Sequence, residues 1–168
     1  MSAGGPDLAE QERRLRALQI SLKEPVRPAG TYRTSVRVGT WLYVSGQVPW
    51  RDGRLLATGR LGDSVAIDRG YECARQCATN ALAAIAAEIG DLSAVARIVK
   101  STVFIASADN FSNHVEVADG ASDLLKEVFG DAGLSARSAV GVASLPLGAP
   151  VELELQVQLR EMVEIPRR

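Results

Sequence analysis

From Thr34 the hydrophobic positions recur every second residue, first Val36 and Val38, then a run from Trp41 to Gln47, with Gly39-Thr40 between them. Alternation on both sides of a two-residue, glycine-containing gap predicts a hairpin, because successive strand side chains point to opposite faces. Val48-Pro49-Trp50-Arg51-Asp52-Gly53 supplies turn chemistry, and Leu55 to Thr58 reads as a short third strand. The period then lengthens. Tyr71, Ala74, Ala78, Ala81, Leu82, Ile85 and Ile89 mark one face of a long helix, with Ser64 as its N-cap and Gly90 behind its last turn. So many small residues let a helix lie close to a sheet.

Ile98 to Ala106 predicts a buried strand, and Asn110 or Ser112 opens a second helix that ends at Phe129 with Gly130 behind it. Two further strands, Ser138 to Ser144 and Val151 to Arg160, flank Leu145-Pro146-Leu147-Gly148-Ala149-Pro150. The last alternates strictly, with Val151, Leu153, Leu155, Val157 and Leu159 on one face and Glu152, Glu154, Gln156, Gln158 and Arg160 on the other. Its polar face meets water or a neighbouring subunit. The order of elements is that of an α+β layer, a mixed sheet with two helices on one face. Ahead of it, Asp7 caps a helix that carries Leu8, Leu15 and Leu18, runs to about Ile20 and is stopped by Pro25 and Pro28. Residues 1–25 are therefore taken as an N-terminal helical extension and 26–168 as a single domain.

Composition narrows the function. With 46% hydrophobic and 23% charged residues in 168, the chain can bury a sizeable core. Nineteen basic against 20 acidic side chains give a formal charge of -1, so no bulk field draws it to a polyanion, and nucleic acid is a disfavoured partner. The longest uncharged stretch, Ser138 to Val151, holds two prolines and is too short to span a membrane. The absence of an apolar leader among the first 20 residues points to the cytoplasm. The single histidine, His114, reads as a surface residue at a helix start, and Cys73 and Cys77 as small buried apolar residues. Neither cysteine has a partner at zinc spacing, so neither metal nor cofactor is expected. Nucleotide-binding glycine motifs and a nucleophile elbow are missing from the sequence.

One arginine stands out in a neutral segment. The line Ala136-Arg137-Ser138-Ala139-Val140-Gly141-Val142-Ala143-Ser144-Leu145-Pro146, followed by Val151-Glu152-Leu153-Glu154, resembles the signature of the YjgF/YER057c/UK114 (RidA) family. Upstream, Gly30-Thr31-Tyr32, Val36-Arg37-Val38-Gly39 and Leu42-Tyr43-Val44-Ser45-Gly46-Gln47-Val48-Pro49 are similar to that family's opening strands, so the resemblance covers about residues 28 to 160. It implies a chorismate-mutase-like fold and a homotrimer with clefts between subunits. It also implies hydrolysis of reactive enamines and imines of the 2-aminoacrylate type to keto acid and ammonia. The family's carboxylate-binding arginine falls on Arg137 and its water-positioning glutamate on Glu152. Its remaining substrate contacts fall on Tyr32, Ser45, Gly46 and the backbone carbonyl of Ala139. Departures mark a divergent branch: Thr31 replaces a proline, Val115 an asparagine and Ala139 a cysteine.

The residue types suit that chemistry. A planar guanidinium grips a carboxylate through two parallel hydrogen bonds and so fixes the adjacent C=N carbon, which a lysine cannot orient equally well. A nearby glutamate can take the proton of an attacking water. A hairpin of the last two strands centred near Leu147 and Gly148 would put Glu152 opposite Ala143 and Arg137 opposite Gln158, roughly 20 Å apart along the sheet. The two groups are then expected to come from different chains, and a monomer to be inactive. A second function stays open, a non-catalytic trimer that binds or senses a small carboxylate with the same arginine. An endoribonuclease or translation inhibitor has less in its favour, since aromatic content is 5% and no basic patch interleaves with it.

Overall fold

The computed structural model describes residues 10–22, 24–28 and 30–161. The elements run α1 (Glu10–Ala17), β1 (Ser35–Val38), β2 (Trp41–Gln47), β3 (Trp50–Arg51), β4 (Arg54–Leu55), α2 (Ile67–Ile89), β5 (Val95–Ala106), α3 (His114–Phe129), β6 (Ala136–Val142) and β7 (Val151–Leu159). Five strands form one mixed sheet in the order β1-β2-β7-β5-β6, and β3 and β4 form a separate small hairpin. Helices α2 and α3 cover one face, as the alternating and 3.6-residue patterns predict.

The opening hairpin closes with Val38 opposite Trp41 across Gly39, whose φ is 60°. The third-strand segment is shorter and earlier than expected. Asp52 and Gly53 both take positive φ, the two-residue turn whose twist suits a hairpin, so Arg54–Leu55 pairs back on Trp50–Arg51. Helix α2 starts at Ile67, not after Ser64. Ser64 Oγ accepts from the Arg60 amide at 3.3 Å, and Ala66 holds the N-cap position without a side-chain bond. The buried face of α2 is made by Cys73, Ala74, Cys77, Ala78, Ala81, Leu82 and Ile85. Tyr71 leaves that face, and its hydroxyl donates to Asp123 Oδ2 at 2.9 Å. Helix α3 begins at His114, later than Asn110 or Ser112, and crosses α2 at Gly120, where an added Cβ would lie 2.1 Å from the Tyr71 carbonyl oxygen. Only glycine allows that backbone approach.

Helix α1 ends at Ala17, well before Pro25, and the chain turns at Gln19 with φ 57°. Asp7 and Leu8 lie outside the described residues. Leu15 is buried in the core, and Arg14 donates to the Val128 carbonyl of α3 at 3.2 Å.

The largest departure concerns β6 and β7, which do not form a hairpin. β6 lies parallel to β5 at the sheet edge, joined to it through α3, while β7 is inserted between β2 and β5 and runs antiparallel to both. A strand-helix-strand crossover has one favoured hand and seats β6 beside β5. β7 buries Val151, Leu153, Leu155, Val157 and Leu159 under the helices, the profile of a central strand, whereas β6 leaves Val140 and Gly141 exposed. Between them Pro146–Gly148 forms a short 3-10 turn with Leu147 at φ 59°, which leads the chain away from β6 instead of folding it back.

Candidate functional site

Four of the residues singled out by sequence gather where β2 meets β7. Pairing runs from Val44↔Leu155 to Gln47↔Leu153, so β2 spends three steps where β7 spends two, and the extra residue makes a bulge at Ser45-Gly46. The bulge is pinned from both sides. Ser45 Oγ donates to the Arg33 carbonyl at 2.6 Å, which ties down the segment carrying Tyr32, and Gln47 Nε2 donates to the Ser45 carbonyl at 3.1 Å. Gly46 leaves room for its neighbour: a Cβ built there would sit 1.8 Å from Glu152 Oε1 and push that carboxylate aside. The Glu152 carboxylate thus rests on the glycine backbone, with Phe104 of β5 opposite on its other flank.

That bed is only half open to water. Burial pushes the Glu152 carboxyl above its ordinary range, and the Glu154 carboxylate two residues along the same face pushes in the same direction. Gly46 and Tyr32 also line a crevice of about 170 Å³ walled by Val26, Val48, Trp50 and Leu147. Asn80, which the sequence reading passed over, braces this wall from α2, with Nδ2 donating to the carbonyls of Val48 at 2.9 Å and Trp50 at 3.0 Å. A buried asparagine in an alanine-rich helix face was the signal that could have found it.

Arg137 and Ala139 lie elsewhere. Arg137 pairs in register with Ser101, and Ser101 with Leu155, so three residues and two strand spacings separate it from Glu152, roughly 14 Å between Cα atoms. The two side chains also leave the sheet on opposite faces. Arg137 turns toward α3, where Nη1 donates to Asp119 Oδ1 at 2.7 Å and Ser122 Oγ at 2.9 Å. Glu152 sits between the buried Val151 and Leu153 and therefore points to the face away from the helices. The 20 Å hairpin geometry expected from sequence is replaced by this two-faced arrangement. Ala139, opposite Val103, packs its side chain against the core.

The remaining chemistry-bearing residues are quieter. Both cysteines are buried, and burial pushes the Cys73 thiol up to about 11 and Cys77 further in the same direction, so thiolate is scarce at neutral pH. His114 is not a plain surface residue. Its Nε2 lies 3.3 Å from Ser107 Oγ, its ring meets Phe111 edge-on, and both groups come close to Gly141, where an added Cβ would lie 2.7 Å from the imidazole. Among the described residues no cluster of three or more His, Cys, Asp or Glu could hold a metal ion, and no helix is long and apolar enough to cross a membrane.

Comparison with known proteins matches this geometry to a family. Residues 12–158 fit the family described as "YjgF/chorismate mutase-like, putative endoribonuclease". The protein TCP17 of Trypanosoma cruzi is 44% identical over 146 residues, covering 86% of this chain and 91% of its own. A 2-iminobutanoate/2-iminopropanoate deaminase of Dermatophagoides farinae is 34% identical over 136 residues, covering 80% and 91% respectively. The crystal structure of Atu1372 from Agrobacterium tumefaciens, of unknown function, superposes with a TM-score of 0.84 at 38% identity over 91% of this chain and 95% of that one. With the strand order, the bulge at Gly46 and the Arg137 segment in place, the chain belongs to the YjgF/RidA family.

Proposed function

We propose that the protein hydrolyses short, reactive 2-imino and 2-enamino acids to the keto acid and ammonia, as an oligomer in which Arg137 of one copy and Glu152 of another face a shared cleft. The observation that carries the reading is the Glu152 bed, a desolvated carboxyl seated on a glycine bulge next to a lined crevice. A relative named for that reaction, 34% identical, supports the same chemistry.

In this mechanism Arg137 binds the substrate carboxylate and fixes the C=N carbon. Water adds to that carbon, and Glu152 takes one of its protons. The carboxyl then delivers that proton to nitrogen, and as the C–N bond of the carbinolamine breaks its hydroxyl gives a proton back to the Glu152 carboxylate, so the carbonyl forms and ammonia leaves. Burial favours the acid form of the Glu152 carboxyl, which suits a group that must hold the proton it has taken and then return it. Imines already hydrolyse readily in water, so positioning and proton transfer suffice. The opposed faces of Arg137 and Glu152 within one chain are the reason a second copy enters the proposal; we take the assembly to be a homotrimer.

The test generates 2-iminobutanoate in situ and follows its disappearance. Arg137→Ala is expected to lower kcat/KM by about 10²-fold or more. Unchanged rates in a folded variant would remove the reading. The alternative, a carboxylate-binding protein without turnover, shares Arg137 and separates at Glu152: only the enzyme loses a rate when Glu152 becomes Gln. RNA cleavage abolished by Arg137→Ala would instead favour the endoribonuclease.

A further inference from the structure

Arg137 already holds an anion of its own chain. The two acceptors on Nη1, Asp119 Oδ1 and Ser122 Oγ, use both N–H groups of that nitrogen. Among the described residues Nε and Nη2 have no such partners, and their N–H bonds run parallel along the side of the guanidinium, the edge that suits a carboxylate. Asp119 and Ser122 are spaced three residues apart on α3 and so stand on one helix face. They turn that edge away from the helix. The pair is partly shielded, with side-chain exposures of 21% for Arg137 and 45% for Asp119, so the aspartate charge is felt by whatever binds beside it.

The consequence depends on the charge of the bound molecule. A protonated 2-imino acid carries a carboxylate and, one carbon away, a positive nitrogen; the keto acid product keeps the carboxylate and loses the nitrogen. Arg137 attracts the carboxylate of both molecules, whereas the Asp119 charge attracts the nitrogen cation of the first and only repels the lone carboxylate of the second. We propose that Asp119 is a positioning and specificity residue. It orients Arg137 and makes the cation site prefer zwitterionic imino acids over the keto acids they become, so that product is expelled. This rests on the deaminase reading.

The experiment measures the inhibition constant of 2-oxobutanoate and its direct binding by NMR titration in wild type, Asp119→Asn and Asp119→Ala. Asparagine keeps an oxygen for Nη1 and removes the charge, so 2-oxobutanoate should bind roughly fivefold more tightly while KM for 2-iminobutanoate stays or rises, with the gain shrinking in high salt. In Asp119→Ala the orienting bond is lost as well, and the rate should fall although the charge effect on the keto acid persists. Keto acid affinity equal to wild type in both folded variants would overturn the proposal. Loss of the deaminase reading would register separately, as imine disappearance indifferent to Arg137→Ala, because the keto acid titration needs no turnover.

Discussion

The two charged groups at the centre of this protein are held in opposite ways. Glu152 lies on a central strand of the sheet, is desolvated by the Gly46 bulge, and has a carboxylate neighbour in Glu154. Arg137 lies on the edge strand, faces the helices, and is already matched by Asp119. One group is partly stripped of water without a counter-charge, the other is held by a fixed counter-charge. Under the proposed mechanism proton transfer benefits from the first treatment and recognition from the second, and within one chain the two faces keep the Asp119 and Arg137 pair apart from the Glu152 carboxyl.

The sharpest way to break this contrast is to mix the halves. Arg137→Ala and Glu152→Gln should each lose about 10²-fold in kcat/KM, yet subunits of the two variants reassembled at equal amounts should regain roughly a quarter of the wild-type rate, since one site in four then draws both intact groups from different copies. No recovery in a mixed oligomer shown by native mass spectrometry would place both groups in one chain's site. A smaller effect is expected at Gly46. Gly46→Ala forces the Glu152 carboxylate off its bed and should lower kcat about tenfold with little change in keto acid binding. Circular dichroism checks that the sheet persists.

The mildest test is pH. Because burial raises the Glu152 carboxyl, the limb on which activity climbs with pH should fall above the ordinary carboxylate range and vanish in Glu152→Gln. The stability sign is fixed as well: a raised folded-state value stabilises below the unfolded one and is lost as pH rises through the folded one. Glu152→Gln should therefore gain modestly over wild type in thermal melts at neutral pH and lose that gain in acid. An equal difference at both pH values would mean that the carboxyl is not desolvated.

Much of this architecture can be read from the chain, for local reasons. The alternation from Val151 to Leu159 and the glycines Gly90 and Gly130 report directly on faces and helix ends, because each signal spans only a few residues. The pairing of β6 is different. Nearness in sequence favours a hairpin with β7, but the crossover through α3 and the apolar demand of β7 for two neighbours decide the outcome, and both act at long range. The site followed the same division. Arg137, Glu152, Gly46 and Tyr32 were reached through family resemblance, while the face each takes, the Asn80 brace and the Asp119 partner depend on register across the sheet. Ser64 failed as a cap because its hydroxyl is engaged by the Arg60 amide, a competition that no propensity records.

The two-faced placement of Arg137 and Glu152 carries a consequence for dosage. Under the proposed shared cleft, a freshly made chain that has not met its siblings would hold every necessary group and still be chemically silent, so activity would rise more steeply than expression at low abundance and become proportional to it only once assembly saturates.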